Sequence, residues 1–419
     1  MSDDATSSTY RDVLSNRRFF ALWLAQFVSS FGDWLAILAL FSLVAFRLHG
    51  SPYQVAGVMI SFIAPWALLG PVAGVYVDRW NVKRTMIASD LLRAVIAALL
   101  ALSGPLGQTY LLVFLLSSVS CFFMPAQAVA IPLIVRREDL LLANSLNAQT
   151  IQLGKVISPA IAGLLVSWAG EKACFYIDGA TFLFSAATLS KITIDRVSAE
   201  AGKDAGSVFK DLVSGIRLIR GHRAISFVML SMATAIVALG SFDALVSVYI
   251  RDLLGRQAGL FGALVSLVGA GTIIGALLMR QAARMLQKVQ MVVAAILLMG
   301  LCVLAFAALN HIAAVVAASL MLGIAVAYVL VPSQTLIQEE SPPGMLGRVS
   351  STSLSLMTLS QLAAFLLAGT IASWIGIRNL YFVVSAALVL VGSFGFLYAR
   401  AAQISETIPE LAGAANGGE

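Results

Sequence analysis

The sequence predicts an all-α integral membrane protein with twelve transmembrane helices, and three observations carry that expectation. Hydrophobic residues make up 59% of the 419 residues and charged residues only 11%, too few charges to clothe a water-soluble core of this size. The apolar residues come in blocks of about 20 or more, the length a helix needs to cross a bilayer. The blocks are continuous rather than alternating, which excludes a β-barrel. In lipid each backbone group must be satisfied within its own element, so the blocks are helices.

In chain order, a polar segment (residues 1–18) leads into a first block, Phe19–Arg47, too long for the core of a cleavable signal peptide. Spans follow at Gln54–Val77, Arg84–Ser103, Tyr110–Pro132, Leu142–Trp168 and Ala173–Ile192, completing an amino-terminal half, residues 19–192. A polar linker, residues 193–223, contains Val208–Ile219, where apolar and basic residues alternate at helical spacing and predict a helix on the membrane surface. The second half, residues 224–400, holds spans at Ala224–Ile250, Gly259–Gln281, Val289–Ala308, Ile312–Leu336, Leu346–Trp374 and Leu380–Arg400, before a tail, residues 401–419. With both termini on one side, Lys and Arg favour the loops of that side by about four to one, which predicts cytoplasmic termini in a cell inner membrane. The net charge of +6 reflects this sidedness and not a nucleic-acid partner.

The halves repeat one another. Pro125-Ala126-Gln127 recurs as Pro332-Ser333-Gln334. Gly163 and Trp168 align with Gly369 and Trp374, and Gly70 and Gly74 with Gly271 and Gly275. Two six-span halves in parallel repeat are a transporter architecture, with a substrate site between them near mid-membrane.

Several classes are excluded. Cys121, Cys174 and Cys302 are scattered, and His49, His222 and His311 lie far apart, so no metal site is expected. There is no phosphate-cradling loop with its Lys and Ser/Thr, so neither an enzyme nor a single-chain ATP-driven pump is expected, and no cofactor.

Two motifs and a wider pattern carry a resemblance. Gly74-Val75-Tyr76-Val77-Asp78-Arg79-Trp80-Asn81-Val82-Lys83-Arg84 joins the second and third spans. Gly74 allows close helix approach. Asp78 can accept hydrogen bonds from a helix N-terminus or an Arg across the half-to-half interface. Arg79, Lys83 and Arg84 can meet anionic headgroups. Gly154-Lys155-Val156-Ile157-Ser158-Pro159-Ala160-Ile161-Ala162-Gly163 sets small residues at close-packing spacing around a helix-bending proline. Arg18 to Gln26, Ser30 to Asp33, Met124 to Gln127, Leu142 to Asn147, Asp178 to Phe182 and Gly347-Arg348-Val349 complete the pattern.

Together these resemble the major facilitator superfamily, and within it the subgroup of macrolide efflux pumps and the enterobactin exporter, from about Phe19 to Tyr398. The first motif resembles the family's G-x-x-x-D-R-x-G-R-R/K loop, with Asn81 in place of a glycine. Asn tolerates the left-handed conformation, so the turn is expected to survive. The second resembles the antiporter signature G-x-x-x-G-P-x-x-G-G, with Ser158 and Ala162 replacing glycines, and in the family it accompanies proton-driven export. One departure stands out. Many proton-driven drug exporters of the family carry an Arg in the fourth span, and Tyr110–Pro132 has none, leaving Arg93 of the third span as a candidate for related work.

Ionisable residues at membrane depth are costly and mark function. Asp33, near the middle of the first span, is the leading candidate for alternating between a proton and a substrate group. Asp90 and Arg93, three apart on one helix face, are expected to pair locally. Lys155 is a candidate cavity-lining cation. Asp178 and Asp243 are read as outer-side gating or contact charges. Gln26, Gln152 and Gln361 are candidate polar contacts, with Asn147, Gln149 and Gln334 as further ones. The resemblance implies a monomeric secondary transporter that exports a small amphiphilic molecule, such as a drug or siderophore, in exchange for protons. Its halves would rock, and Asp78 with the basic loop would clasp the cytoplasmic side. The alternative is a translocator of lysophospholipid or another lipid on the same fold.

Overall fold

The computed structural model describes residues 10–194, 223–255, 258–309, 311–340 and 346–416. The expected surface helix Val208–Ile219 lies outside the described residues. Among the described residues, twelve helices are long and apolar enough to cross a membrane.

A short helix, α1 (Tyr10–Ser15), comes first. The six spans of the first set are α2 (Arg17–Ser42), α3 (Pro52–Arg79), α4 (Val82–Leu102), α5 (Leu106–Ile134), α6 (Leu140–Ala169) and α7 (Glu171–Ser190). A π-helical turn, Leu43–Arg47, prolongs α2. The second set is α8 (Arg223–Asp252), α9 (Ala258–Met285), α10 (Lys288–Ala308), α11 (Ile312–Glu340), α12 (Leu346–Ile375) and α13 (Ile377–Asn416). The last runs well past Arg400, into the segment read from the sequence as a tail.

Local chemistry sets the helix ends. Asn16 caps α2 by accepting from the backbone N–H of Arg18 and Phe19, while its amide donates to the Ile134 carbonyl at 2.7 Å. Ser51 and Gln54 form a reciprocal capping box at the start of α3. α6 and α12 both stop at glycines with positive φ, Gly170 at 79° and Gly376 at 84°, a conformation glycine adopts without steric cost. The two glycines fall at the offset that relates Trp168 to Trp374, which extends the internal repeat by one feature. Pro125 and Pro132 lie inside α5, Pro159 inside α6 and Pro332 inside α11 without ending them, as neighbouring helices in a bundle permit.

One expectation about the turn is corrected. α3 continues to Arg79, so the first motif is helical through Gly74, Asp78 and Arg79, and the turn is only Trp80 and Asn81. Asn81 has φ −76° and ψ 108°, extended and not left-handed. It caps α4 by accepting from the Arg84 N–H at 3.0 Å. An asparagine here does a cap's work, which a glycine would do without a side chain.

The chain forms two compact units. The first, Met1–Lys210 with Ala244–Ser266, takes in the end of α8 and the start of α9. In it α2 packs on α7 and α6, α4 on α7 and α5, and α3 on α5. Arg251 donates to the carbonyls of Ala45 and Gly50, the latter at 2.9 Å. Phe41 meets Phe261 edge to face at 5.7 Å. A Cβ on Gly262 would collide with the Pro159 carbonyl and lie 3.0 Å from Gly163 Cα. Gly262 is thus required for this close approach of α9 to α6. The second unit, Asp211–Asp243 with Leu267–Glu419, packs α10 against α11 and α13. The buried Ser385 hydroxyl donates to the Gly300 carbonyl at 2.9 Å, and Phe306 meets Phe242 edge to face at 4.9 Å. Cys121, Cys174 and Cys302 are free and buried.

Candidate functional site

The candidate site is a cluster of four ionisable side chains inside the first unit, on three helices. α4 supplies Asp90 and Arg93, one turn apart. Asp90 is fully buried and Arg93 nearly so, and the guanidinium donates to the Asp90 carboxylate. The guanidinium is also held between two rings, its central carbon 4.4 Å from the Phe123 centroid of α5 and 4.3 Å from that of Phe182 of α7. Cation–π contacts of this kind gain most where water is excluded. Asp90 Oδ2 and Arg93 Nε have no hydrogen-bond partner among the described residues, and the buried Ser185 hydroxyl lies beside Asp90.

α2 and α7 bring the other two carboxyls. Asp178 of α7 is fully buried, and neither of its carboxyl oxygens has a hydrogen-bond partner among the described residues. Asp33 of α2 is half-buried. Gly32 makes the approach of the two helices possible, since a Cβ there would clash with the Thr181 hydroxyl and lie 2.7 Å from Asp178 Oδ1. Asp33 interacts electrostatically with Asp90 and Arg93, and Asp178 with Asp33 and Arg93. Three carboxyls therefore share one guanidinium. Full ionisation would leave uncompensated negative charge in a water-poor interior, so the chemistry open to the cluster is to bind and release a proton.

The structure thus joins Asp33, Arg93 and Asp178, which the sequence treats separately. Asp178 packs against Gly32 of α2. The local Asp90–Arg93 pair forms as expected. Lys155 is exposed, with its ammonium 5.5 Å from the Trp34 centroid. Gln26 is buried, and its side-chain carbonyl lacks a partner among the described residues. Asp243 and Gln361 are half-buried in the second unit. The side chains of Gln152, Asp78 and Arg79, and the surroundings of Gly74, lie outside what the structure describes. Lys83 donates to the Ser190 carbonyl at 2.7 Å, and Arg84 is exposed. In the antiporter-like motif, Gly154 lies against Trp34 and Ser30, and the Ser158 hydroxyl donates to the Phe31 carbonyl at 3.3 Å. Pro159 and Gly163 meet Gly262. The motif packs on α2 and α9. Asn147 accepts from the Gln127 amide at 3.2 Å, a helix–helix hydrogen bond.

Sequence reasoning missed Phe123 altogether, and placed Gly32 and Phe182 within segments of family resemblance without seeing what they do around Arg93 and Asp178. Rings and glycines are common in apolar spans, and their role follows only from which helices are neighbours.

Twelve helices among the described residues that are long and apolar enough to cross a membrane define the class, a polytopic membrane protein. Residues 22–362 match the model of the Major Facilitator Superfamily, and the chain belongs to that family. It is similar to the uncharacterized MFS-type transporter YfiS of Bacillus subtilis, 27% identical over 385 residues, 90% of this chain and 92% of that one. Macrolide efflux protein A of Streptococcus pyogenes is 23% identical over 381 residues, 89% of this chain and 93% of the relative. The putative bacilysin exporter BacE of Bacillus amyloliquefaciens is 24% identical over 334 residues, 79% and 82% of the two chains. Among solved structures, the nucleoside transporter NupG superposes with TM-score 0.75 at 12% identity, over 90% of this chain and 99% of that one. A bacterial homolog of the human lysosomal transporter Spinster gives 0.70 at 14%, over 94% and 98%. The fold is therefore that of the family, whose members are transporters and not enzymes.

Proposed function

We propose that this transporter exports a small amphiphilic molecule in exchange for protons, by alternating access, from a cell inner membrane with both termini cytoplasmic. The observation that carries the reading is the set of Asp33, Asp90 and Asp178 gathered around Arg93. Asp33 alone among the three carboxyls is part-exposed, which suits it to exchange its proton with water or substrate, while Arg93 and Asp178 set the charge behind it. Arg93 lies against Phe123 of the fourth span, so its cation reaches the helix in which family members of this type carry their own Arg. The named efflux relatives and the antiporter-like motif agree in direction.

The test uses everted membrane vesicles with an acidified interior, challenged with macrolides, dyes, siderophores and lysolipids. Wild type should release protons with at least one compound, and Asp33→Asn should release at least tenfold less at equal protein level. Compound movement without proton release, unchanged in Asp33→Asn, would overturn the coupling assignment.

A further inference from the structure

A groove of about 700 Å³ runs along the outside of α4 and α5 in the first unit, apart from the charge cluster. Its wall is largely apolar and includes Val119 and the exposed Leu92 and Leu115. One end is closed by aromatic packing, in which the Trp80 ring stacks on Phe122 at 5.7 Å and Tyr76 leans on Trp80 at 5.5 Å. That end also carries Arg84, exposed and without an ion-pair partner among the described residues. The neighbouring Lys83, by contrast, is already engaged by the Ser190 carbonyl. Deeper in the groove sits Ser89, only 5% exposed, whose hydroxyl makes no hydrogen bond to any described residue. Its neighbour across the groove, Ser118, is satisfied by the Phe114 carbonyl at 2.7 Å.

An apolar trough with a cation at its mouth and an unsatisfied hydroxyl part-way down matches one ligand chemistry: a phosphate head, an ester carbonyl and a hydrocarbon chain, in that order. We propose that this groove holds one resident anionic phospholipid of the surrounding bilayer. The phosphate pairs with Arg84, an ester carbonyl accepts from Ser89, and a chain lies along Leu92, Leu115 and Val119. A cation beside an interfacial Trp and Tyr is the setting in which membrane proteins select anionic headgroups. Ser118 satisfies itself on its own helix, which leaves Ser89 as the groove hydroxyl open to a ligand beneath the exposed Arg84. This site stands independently of proton coupling.

The experiment is native mass spectrometry of the full-length purified protein titrated with phosphatidylglycerol or with phosphatidylethanolamine of the same chains. Wild type should retain one phosphatidylglycerol at least tenfold more tightly than phosphatidylethanolamine. Arg84→Gln should abolish that preference, and Ala88→Trp, which fills the groove, should lower retention of both lipids. Arg284→Gln, which removes another exposed cation, should change neither. Equal retention of both lipids by wild type, or a preference that survives Arg84→Gln, would reduce the groove to ordinary boundary lipid and overturn the proposal. Because the readout is lipid retention and not transport, its failure is distinct from failure of the export reading.

Discussion

Arg93 has five neighbours to serve: Asp90 by direct pairing, Asp33 and Asp178 through the field, and two rings that fix its plane. A flat guanidinium suits this and an ammonium does not, because only the former stacks on both sides while donating in its plane. Removing the cation alone leaves buried carboxyls without compensation, which costs about 3–5 kcal/mol. Arg93→Met should therefore lower the midpoint of thermal unfolding in detergent sharply. Asp90→Leu combined with Arg93→Met should recover only part of the loss, the remainder belonging to Asp33 and Asp178. Complete recovery would show that Arg93 serves Asp90 alone. Asp178 invites a parallel test, since its carboxyl oxygens accept no hydrogen bond among the described residues. Asp178→Asn should fold normally and reduce substrate-driven proton release in vesicles about tenfold or more. Unchanged release would remove Asp178 from the coupling set.

At the scale of elements, the end of α2 shows how a local irregularity becomes a joint. The chain passes into a π-helical turn over Leu43–Arg47 and then to His49 with φ 49°. Arg251 of α8 binds the Ala45 and Gly50 carbonyls of this stretch. Hydrogen bonds from a charged donor contribute about 1.5–3 kcal/mol, so Arg251→Gln should speed amide exchange across residues 43–50 by about tenfold or more. Exchange at the wild-type rate would mean the turn holds itself. The sequence offers no sign of this joint, because neither a π-turn nor a partner two hundred positions away leaves a periodic trace. The helices themselves were legible, since a 20-residue apolar run in a charge-poor chain has one stable form in lipid. The turn after α3 was legible in place and not in conformation, because Asn81 serves equally well as a left-handed residue or as a cap and only the position of the Arg84 N–H decides.

Across the whole molecule, the charges that matter were visible as charges, since Asp33, Asp90, Arg93 and Asp178 interrupt apolar runs where ionisable groups are costly. Their convergence was not visible, because it depends on α2 lying beside α7 and α7 beside α4, an adjacency set by small residues such as Gly32 and Gly179 facing their neighbours. The proposed sidedness, read from the distribution of Lys and Arg, predicts that green fluorescent protein fused to the carboxyl terminus will fluoresce while a phosphatase active only outside the cytoplasm will be silent there. The reverse result would invert every inner and outer assignment. The three thiols have a practical consequence. Cys121, Cys174 and Cys302 are all shielded within their helices, so a water-borne maleimide should leave the native chain unlabelled. Single cysteines introduced at the groove, at the Arg251 joint or beside Asp33 can then each be read by label against a dark background, without first stripping the protein of its own sulfur.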